Sequence, residues 1–401
     1  MLAPSPSIPT PTPTRAIALL AVAGFASQAM VRSTDSLLPQ IAADFAVTVG
    51  AASIIVSGYA LVHGSMQFVT GPIGDRFGKY RTIAIMCGLT ALSVFACGLA
   101  SSLLWLTVAR VAAAVTAAWI IPLGMAWIGD VVPYERRQQV LGRYMSGQII
   151  GQLFGQAAGG IIGDLLGWRA MFFVLAATLA IAAAALFREL AVNPLTRPGP
   201  QADTRWRGFV AEYSVVLTRP WARIVILAVG CEAALVWGAF AYVGADLHLR
   251  FGLSYTLVGI VVGTFGIGGL LYALTVKQLV ARFGQTGLAL HGGFLLGLAY
   301  LMLALAPAWW IAPAAVTLIG LGFYMLHNTL QTNATQMAPE ARGTAVALFS
   351  AAIYCSQTVG VAVIAPIIDR LGAPPVFIAV AILLPALGLW FAGRLRAKAA
   401  T

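Results

Sequence analysis

The sequence predicts an all-α membrane protein with twelve transmembrane helices in two pseudo-symmetric six-helix bundles. Three observations predict it. Hydrophobic residues fill 60% of 401 positions and charged residues only 9%, far too little polar surface for a water-soluble globule. The apolar residues gather into twelve stretches, most of them near the roughly 20 residues a helix needs to cross the hydrocarbon core. Short polar segments recur in the second half of the chain at a nearly constant offset from the first.

Residues 1–14 carry prolines at 4, 6, 9, 11 and 13 and lack the cationic start and cleavage site of a signal peptide, so a short disordered cytoplasmic tail is expected. Six spans follow, near 16–38, 49–70, 82–100, 103–128, 141–163 and 170–187, and make a first bundle over 15–190. The longest polar interval comes next, with Pro194, Pro198, Pro200, Pro220 and four arginines, and places a cytoplasmic linker at 191–220. Spans near 222–245, 255–276, 287–306, 309–331, 344–367 and 374–393 make a second bundle over 221–394, and 395–401 is a cytoplasmic tail.

The repeats support this division. Asp130-Val-Val-Pro133-Tyr-Glu-Arg136 after the fourth span returns as Gln336-Met-Ala-Pro339-Glu-Ala-Arg342, shifted by 206 positions. Gly163-Asp164-Leu-Leu-Gly167 returns as Ile368-Asp369-Arg-Leu-Gly372, shifted by 205. Duplicated bundles are the architecture of proteins whose halves rock about a central site.

The net charge of +11 raises the question of nucleic-acid binding, but the cations follow topology instead. With the N-terminus inside, the inner segments hold most of them, among them Arg76, Lys79, Arg81, Arg136, Arg137, Arg219 and Arg223, and the outer segments only Arg169, Arg250 and Arg370. That asymmetry puts both termini in the cytoplasm.

The run Gly71-Pro72-Ile73-Gly74-Asp75-Arg76-Phe77-Gly78-Lys79-Tyr80-Arg81 lies between the second and third spans. Its glycines permit a sharp turn and its cations favour the cytoplasmic side. It resembles the signature loop of major facilitator superfamily transporters, a resemblance that extends over roughly residues 15–394. The resemblance implies a cytoplasmic gate in which Asp75 clasps a helix end or an arginine of the other bundle. A carboxylate near a helix N-terminus is favourable by about 0.3–1 kcal/mol. The second-half copy, Lys277-Gln-Leu-Val-Ala-Arg282-Phe-Gly284, keeps Arg-Phe-Gly and lacks the aspartate.

The fifth span carries Gly147, Gly151, Gly155, Gly159 and Gly163 at four-residue spacing, with Gly160 beside them. Such a stripe lets another helix approach backbone to backbone, and Gly259 and Gly263 in the eighth span offer a matching surface. A sliding contact between bundles is the expectation, with static helix packing as its alternative. The stripe resembles the family's antiporter signature, except that Gln156 replaces the proline of Gly-Pro-x-x-Gly-Gly, which weakens the inference of antiport. Gly167-Trp168-Arg169 resembles the family's turn before the sixth helix.

Charges inside spans cost about 2.5–3.5 kcal/mol on insertion scales, so they face a cavity or a partner. Arg32 and Asp35 stand in the first span, Arg110 in the fourth and Glu232 in the seventh. Asp35 and Arg110 have similar depths at about 1.5 Å rise per residue, and an ion pair between them that opens on protonation is the favoured coupling element. Arg110 occupies the place of the arginine in the family's fourth-helix motif, and Thr34-Asp35-Ser-Leu-Leu-Pro39 resembles a first-helix element of bacterial drug exporters. The competing arrangement pairs Arg32 with Asp35, three residues apart on one face, and leaves Arg110 to bind an anion. Glu232 sits near the bilayer midplane, where a lone carboxylate suits proton uptake and release or cation recognition.

His327, Asn328 and Gln331 share a face of the tenth span and are expected to line a wet cavity. Trp119, Trp237, Tyr242 and Tyr324 offer flat contacts to an amphipathic ligand, and core packing explains any single one equally well. His63 and His291 are read as structural hydrogen-bonders. Cys87, Cys97, Cys231 and Cys355 lie in apolar spans without CxxC spacing and are read as buried, reduced thiols.

The resemblance implies a secondary transporter, not an enzyme. Its first expected function is proton-coupled export, by antiport, of small amphipathic molecules, with Asp35, Arg110 and Glu232 linking protons to substrate. Proton-coupled uptake of a small organic anion is the second, and a non-transporting receptor on the same fold the third. No metal or cofactor is expected beyond protons as the coupling ion. Expected partners are a small-molecule substrate and the lipid bilayer of the inner (cytoplasmic) membrane, with no nucleic acid, and the protein is expected to be a monomer.

Overall fold

A chain this apolar can satisfy its backbone in lipid only by bonding to itself, and it does so as helices. The computed structural model describes residues 13–197 and 213–399; the expectations for the tail 1–12 and for half of the linker, 198–212, lie outside these residues. The first half comprises α1 (Thr14–Arg32), α2 (Thr34–Asp44), α3 (Val49–Ala52), α4 (Ile54–Phe77), α5 (Lys79–Gly98), α6 (Leu103–Ala117), α7 (Ile120–Val131), α8 (Tyr134–Leu166) and α9 (Trp168–Val192). The second comprises α10 (Pro220–Phe240), α11 (Val243–Phe251), α12 (Tyr255–Gly263), α13 (Phe265–Leu305), α14 (Ala312–Ala334), α15 (Arg342–Leu371) and α16 (Pro374–Ala399). Joined across their short breaks, they give 11 apolar runs long enough to cross a membrane among the described residues.

One run, Tyr255–Leu305, is 51 residues long and contains a non-helical residue, Gly284, with φ 58° and ψ −176°. Gly268 before it faces Gly320, and Gly292 after it faces Gly322. The chain therefore doubles back at Gly284. Gly78, with φ 87°, makes the corresponding turn in the first half, and Gly167 and Gly372 form a second such pair at φ 84° and 74°. These backbone conformations exclude most side chains, and they recur at the offsets of the polar repeats.

The turn at Gly78 corrects the expected loop. α4 continues to Phe77 and α5 starts at Lys79, so a polar run of eleven residues contributes one non-helical position. At the other end, α16 continues to Ala399 and makes a helix of most of the expected tail.

Within the first half α8 runs along α1, α5 along α9, and α4 along α6; within the second, α13 packs on α14 and α16, and α10 on α15. The halves meet where α4 packs on α15, α8 on α12, and α2 on α11. The helix ends away from Thr14 and Ala399 form what is called here the far end. Breaks at Ser33, between α1 and α2, and at Ala241–Tyr242, between α10 and α11, leave irregular backbone inside two spans. Ser33 and Tyr242 are both fully buried, the setting in which irregular backbone survives at membrane depth.

The glycine stripe also needs correction. Gly147, Gly151, Gly155, Gly159 and Gly163 face Ala21, Phe25, Ala29, Ser33 and Leu37, all in the first half. Only Gly160 turns to the other half, against Tyr255 and Gly259, while Gly259 and Gly263 face Ala157. The reason is helical periodicity. Residues four apart share the face that α1 and α2 occupy, and Gly160, one position on from Gly159, points about 100° away.

Candidate functional site

The break at Ser33 concentrates polar atoms. The Met30 carbonyl accepts from Ser33 Oγ at 3.1 Å and from Arg110 Nη1 at 3.1 Å. The Arg110 guanidinium, 1% exposed, lies 4.5 Å from the Tyr59 ring centroid and 6.0 Å from that of Phe172. Asp35, in the first turn of α2, pairs with Arg32 instead, Oδ2 to Nη1 at 3.7 Å. The expected Asp35–Arg110 ion pair is therefore absent from this structure. Arg110 is committed to a carbonyl and an aromatic face, while Arg32 shares the helix face of Asp35.

Two further residues complete this cluster. Arg32 stacks over the Trp237 ring at 3.6 Å and so reaches α10 in the other half. Gln156, with its side chain fully buried, lies beside the Asp35 carboxylate and turns its amide toward it. The sequence flagged Gln156 only as a missing proline. Asp35 Oδ2 and Arg110 Nε have no hydrogen-bond partner, so the cluster holds uncommitted donors and acceptors.

The second acidic site is simpler. Glu232 in α10 is fully buried, and its Oε2 lies 2.7 Å from Nδ1 of His327 in α14. Phe323 stacks on the imidazole at 4.6 Å between centroids, and Phe349 lies 5.6 Å away. The other carboxylate oxygen, Oε1, has no hydrogen-bond partner. The sequence singled out both residues but did not join them, because 95 positions separate them and only the packing of α14 on α10 brings them together.

The other expected cavity residues divide. Trp237 packs with Phe240, Phe265 and Phe323, and Tyr324 contacts Phe265 and Phe323, so these two border the Arg32 cluster. Tyr242 is instead a fastener: its hydroxyl is 2.9 Å from both Ser53 Oγ and the Val361 carbonyl. Trp119, in the break between α6 and α7, is buried and donates Nε1 to the Val115 carbonyl of α6 at 2.7 Å. Asn328 and Gln331 are half-buried on the His327 face of α14. His63 contacts Tyr59 at 3.2 Å and packs on Tyr354. Of the cysteines, Cys87 and Cys97 are buried, but Cys231 is exposed, because it lies on the face of α10 opposite the packed one.

In the segment expected to form a cytoplasmic gate, Gly74 faces Leu123, and Lys79 Nζ pairs with Asp130 at 2.6 Å. Arg76 and Arg81 are exposed. The side chain of Asp75 lies outside the described residues, and with it the expected Asp75 clasp.

Comparison with known proteins now decides the family. The family model for the Major Facilitator Superfamily matches residues 20–361 and 229–400. The chain belongs to the major facilitator superfamily. Among curated relatives, it is 28% identical to the uncharacterised MFS-type transporter YceJ of Bacillus subtilis over 84% of this chain and 87% of that protein. It is 22% identical to a probable sugar efflux transporter of Helicobacter pylori, over 83% and 84%. Among solved structures, a bacterial homologue of the human lysosomal transporter Spinster, in an inward-facing and unoccupied conformation, superposes with a TM-score of 0.75. It is 17% identical and covers 97% of this chain and 99% of that one, which shows the shared fold. The protein is a multi-pass membrane transporter, not an enzyme.

Proposed function

We propose that the protein is a proton-coupled exporter of small amphipathic molecules, working by alternating access between two six-helix bundles of twelve helices in all. The two arms of Tyr255–Leu305 on either side of Gly284 count as separate helices in this reading, with the far end at the outer face and both termini cytoplasmic. The reading places it in the inner membrane as a monomer. One observation carries it: the buried Glu232–His327 contact of 2.7 Å, with a free carboxylate oxygen at Oε1. A carboxylate and an imidazole in contact can share one proton, and burial gives a large difference between loaded and empty states. The aromatic wall of Trp237, Phe265, Phe323 and Tyr324 suits an apolar ligand body, and Asp35 with Arg32 supplies the polar end. The probable sugar efflux transporter among the relatives supports export as the direction.

A second reading rests on a different observation. Asp35 pairs with Arg32, which leaves Arg110 without a carboxylate partner and with its Nε unbonded. That arrangement favours recognition of a small organic anion and its uptake with protons. Flux in proteoliposomes separates the two. Export by antiport moves cationic dyes and dissipates an imposed pH gradient; uptake moves anions down it. Glu232→Gln is expected to reduce proton-driven flux about 5- to 150-fold, the range of typical coupling energies. Undiminished proton-driven flux in that variant removes Glu232 from the mechanism.

A further inference from the structure

The polar repeat around Asp164 and Asp369 has no part in the site above, yet the fold uses both copies in one way. Asp369, at the end of α15, accepts from the Gly50 backbone N–H at 2.8 Å and from Thr48 Oγ1 at 2.7 Å. Asp164, at the end of α8, accepts from the Thr256 backbone N–H at 3.2 Å. Each aspartate therefore reaches the first turn of a helix in the other half. Thr48 and Ser254 are the N-caps of those helices, accepting from Ala51 N and Leu257 N, so Gly50 and Thr256 hold the same place in each first turn. The two contacts are one contact made twice.

We propose that Asp164 and Asp369 are paired gate residues that hold the far end of the two halves shut. The chemistry is a carboxylate placed on unsatisfied N–H groups and the positive end of a helix dipole, supplied across a seam that must separate for that end to open. Close backbone approach supports both contacts. Gly160 meets Gly259 below Asp164, and Gly50 leaves room for the Asp369 carboxylate, which a Cβ there would strike. Both carboxylates are exposed, so water can take over their hydrogen bonds when the seam parts. That makes the latch weak and reversible, as a gate in a cycle requires. It also contrasts with the Arg-Phe-Gly turn, whose aspartate occurs in the first half alone: the cytoplasmic device is asymmetric, and the far-end device is symmetric.

The inference rests on alternating access and needs no knowledge of the substrate. Spin labels at Leu99→Cys and Leu305→Cys, both exposed far-end positions in opposite halves, report the gate in proteoliposomes once the four native cysteines are replaced. Wild type at pH 5 and pH 8 sets the reference distances. Asp164→Ala and Asp369→Ala are each expected to raise the ratio of far-end-open to closed molecules about two- to five-fold. The double variant multiplies the two effects, since the contacts share no residue. Asp→Asn at the same positions, which keeps an acceptor and removes the charge, falls between wild type and Ala. Two wild-type distances with unchanged ratios in every variant overturn the latch alone. A single distance in all proteins and conditions overturns alternating access and the latch with it.

Discussion

Asp35 and Glu232 are both buried acids on broken spans of opposite halves, yet their surroundings differ in kind. Asp35 sits among Arg32, Arg110 and Gln156, and this cluster crosses between the halves through the stacking of Arg32 on Trp237. Glu232 has one polar partner, His327, and both residues, with Phe323 and Phe349, belong to the second half. The first arrangement ties charge to the relative position of the halves. In the proposed mechanism the second holds a proton without depending on that position. The proposed proton-coupled cycle needs both, and it assigns them to different acids.

The largest expected effect breaks the comparison from the Asp35 side. Arg110 is almost fully buried, holds the Met30 carbonyl at the helix break and packs on Tyr59. Arg110→Ala should lower stability by about 3 kcal/mol, because it removes a charged hydrogen bond and leaves a void where the guanidinium packed. Thermal melts in detergent read this directly. A melt equal to wild type would mean that the Asp35 cluster is no scaffold, and the distinction between the two acids would collapse.

How far each site was legible in the sequence follows the same division. Apolar spacing and cation asymmetry gave the spans, and the four intramembrane charges were visible as charges. Their partners were not. Sequence alone leaves Asp35 open to both Arg110 and Arg32, and only three-dimensional packing gives Arg110 the Met30 carbonyl. In sequence His327 stands as a cavity residue, because nothing in α14 alone points to Glu232. The glycine stripe was legible as a close-packing surface, but periodicity says which residues share a face, not which neighbour covers it. The helix breaks at Ser33 and Tyr242 were missed, since neither carries proline or glycine. The recurrence of Asp164 and Asp369 was plain in the sequence, but its meaning required the opposing helix ends.

A smaller effect tests the Glu232 side. His327→Gln keeps a side chain able to donate to Glu232 but removes the imidazole that can share its proton. Proton-driven flux is expected to fall about tenfold, corresponding to ~1.4 kcal/mol of coupling, with the melt close to wild type. Arg110→Ala and His327→Gln would then separate cleanly, one acting on stability and the other on coupling. If His327→Gln melts as early as Arg110→Ala, the dyad is structural and the proposed division of labour fails.

The smallest effect uses an acid outside the spans as the reference for what an ion pair is worth in water. Asp44 accepts from Arg169 Nη1 at 2.7 Å and from Trp168 Nε1 at 3.2 Å, and the Arg169 hydrogen bond holds its carboxyl below the usual carboxylate range. Its side chain is 42% exposed, so solvent screens the pair and its contribution is about 0.2–1 kcal/mol. A depressed value in the folded state means that the stabilisation is complete above the ordinary carboxylate value and is lost as pH falls through the lower, folded-state value. Asp44→Asn should therefore melt slightly below wild type at pH 7, by a gap that narrows as pH is lowered toward about 3. An equal gap at both pH values would show that the carboxylate charge contributes nothing and that shape alone fixes this turn. The buried acids lack that screening, so a charge change at Glu232 should act on transport by much more than the Asp44 pair acts on stability, and the ratio of the two effects measures what burial adds.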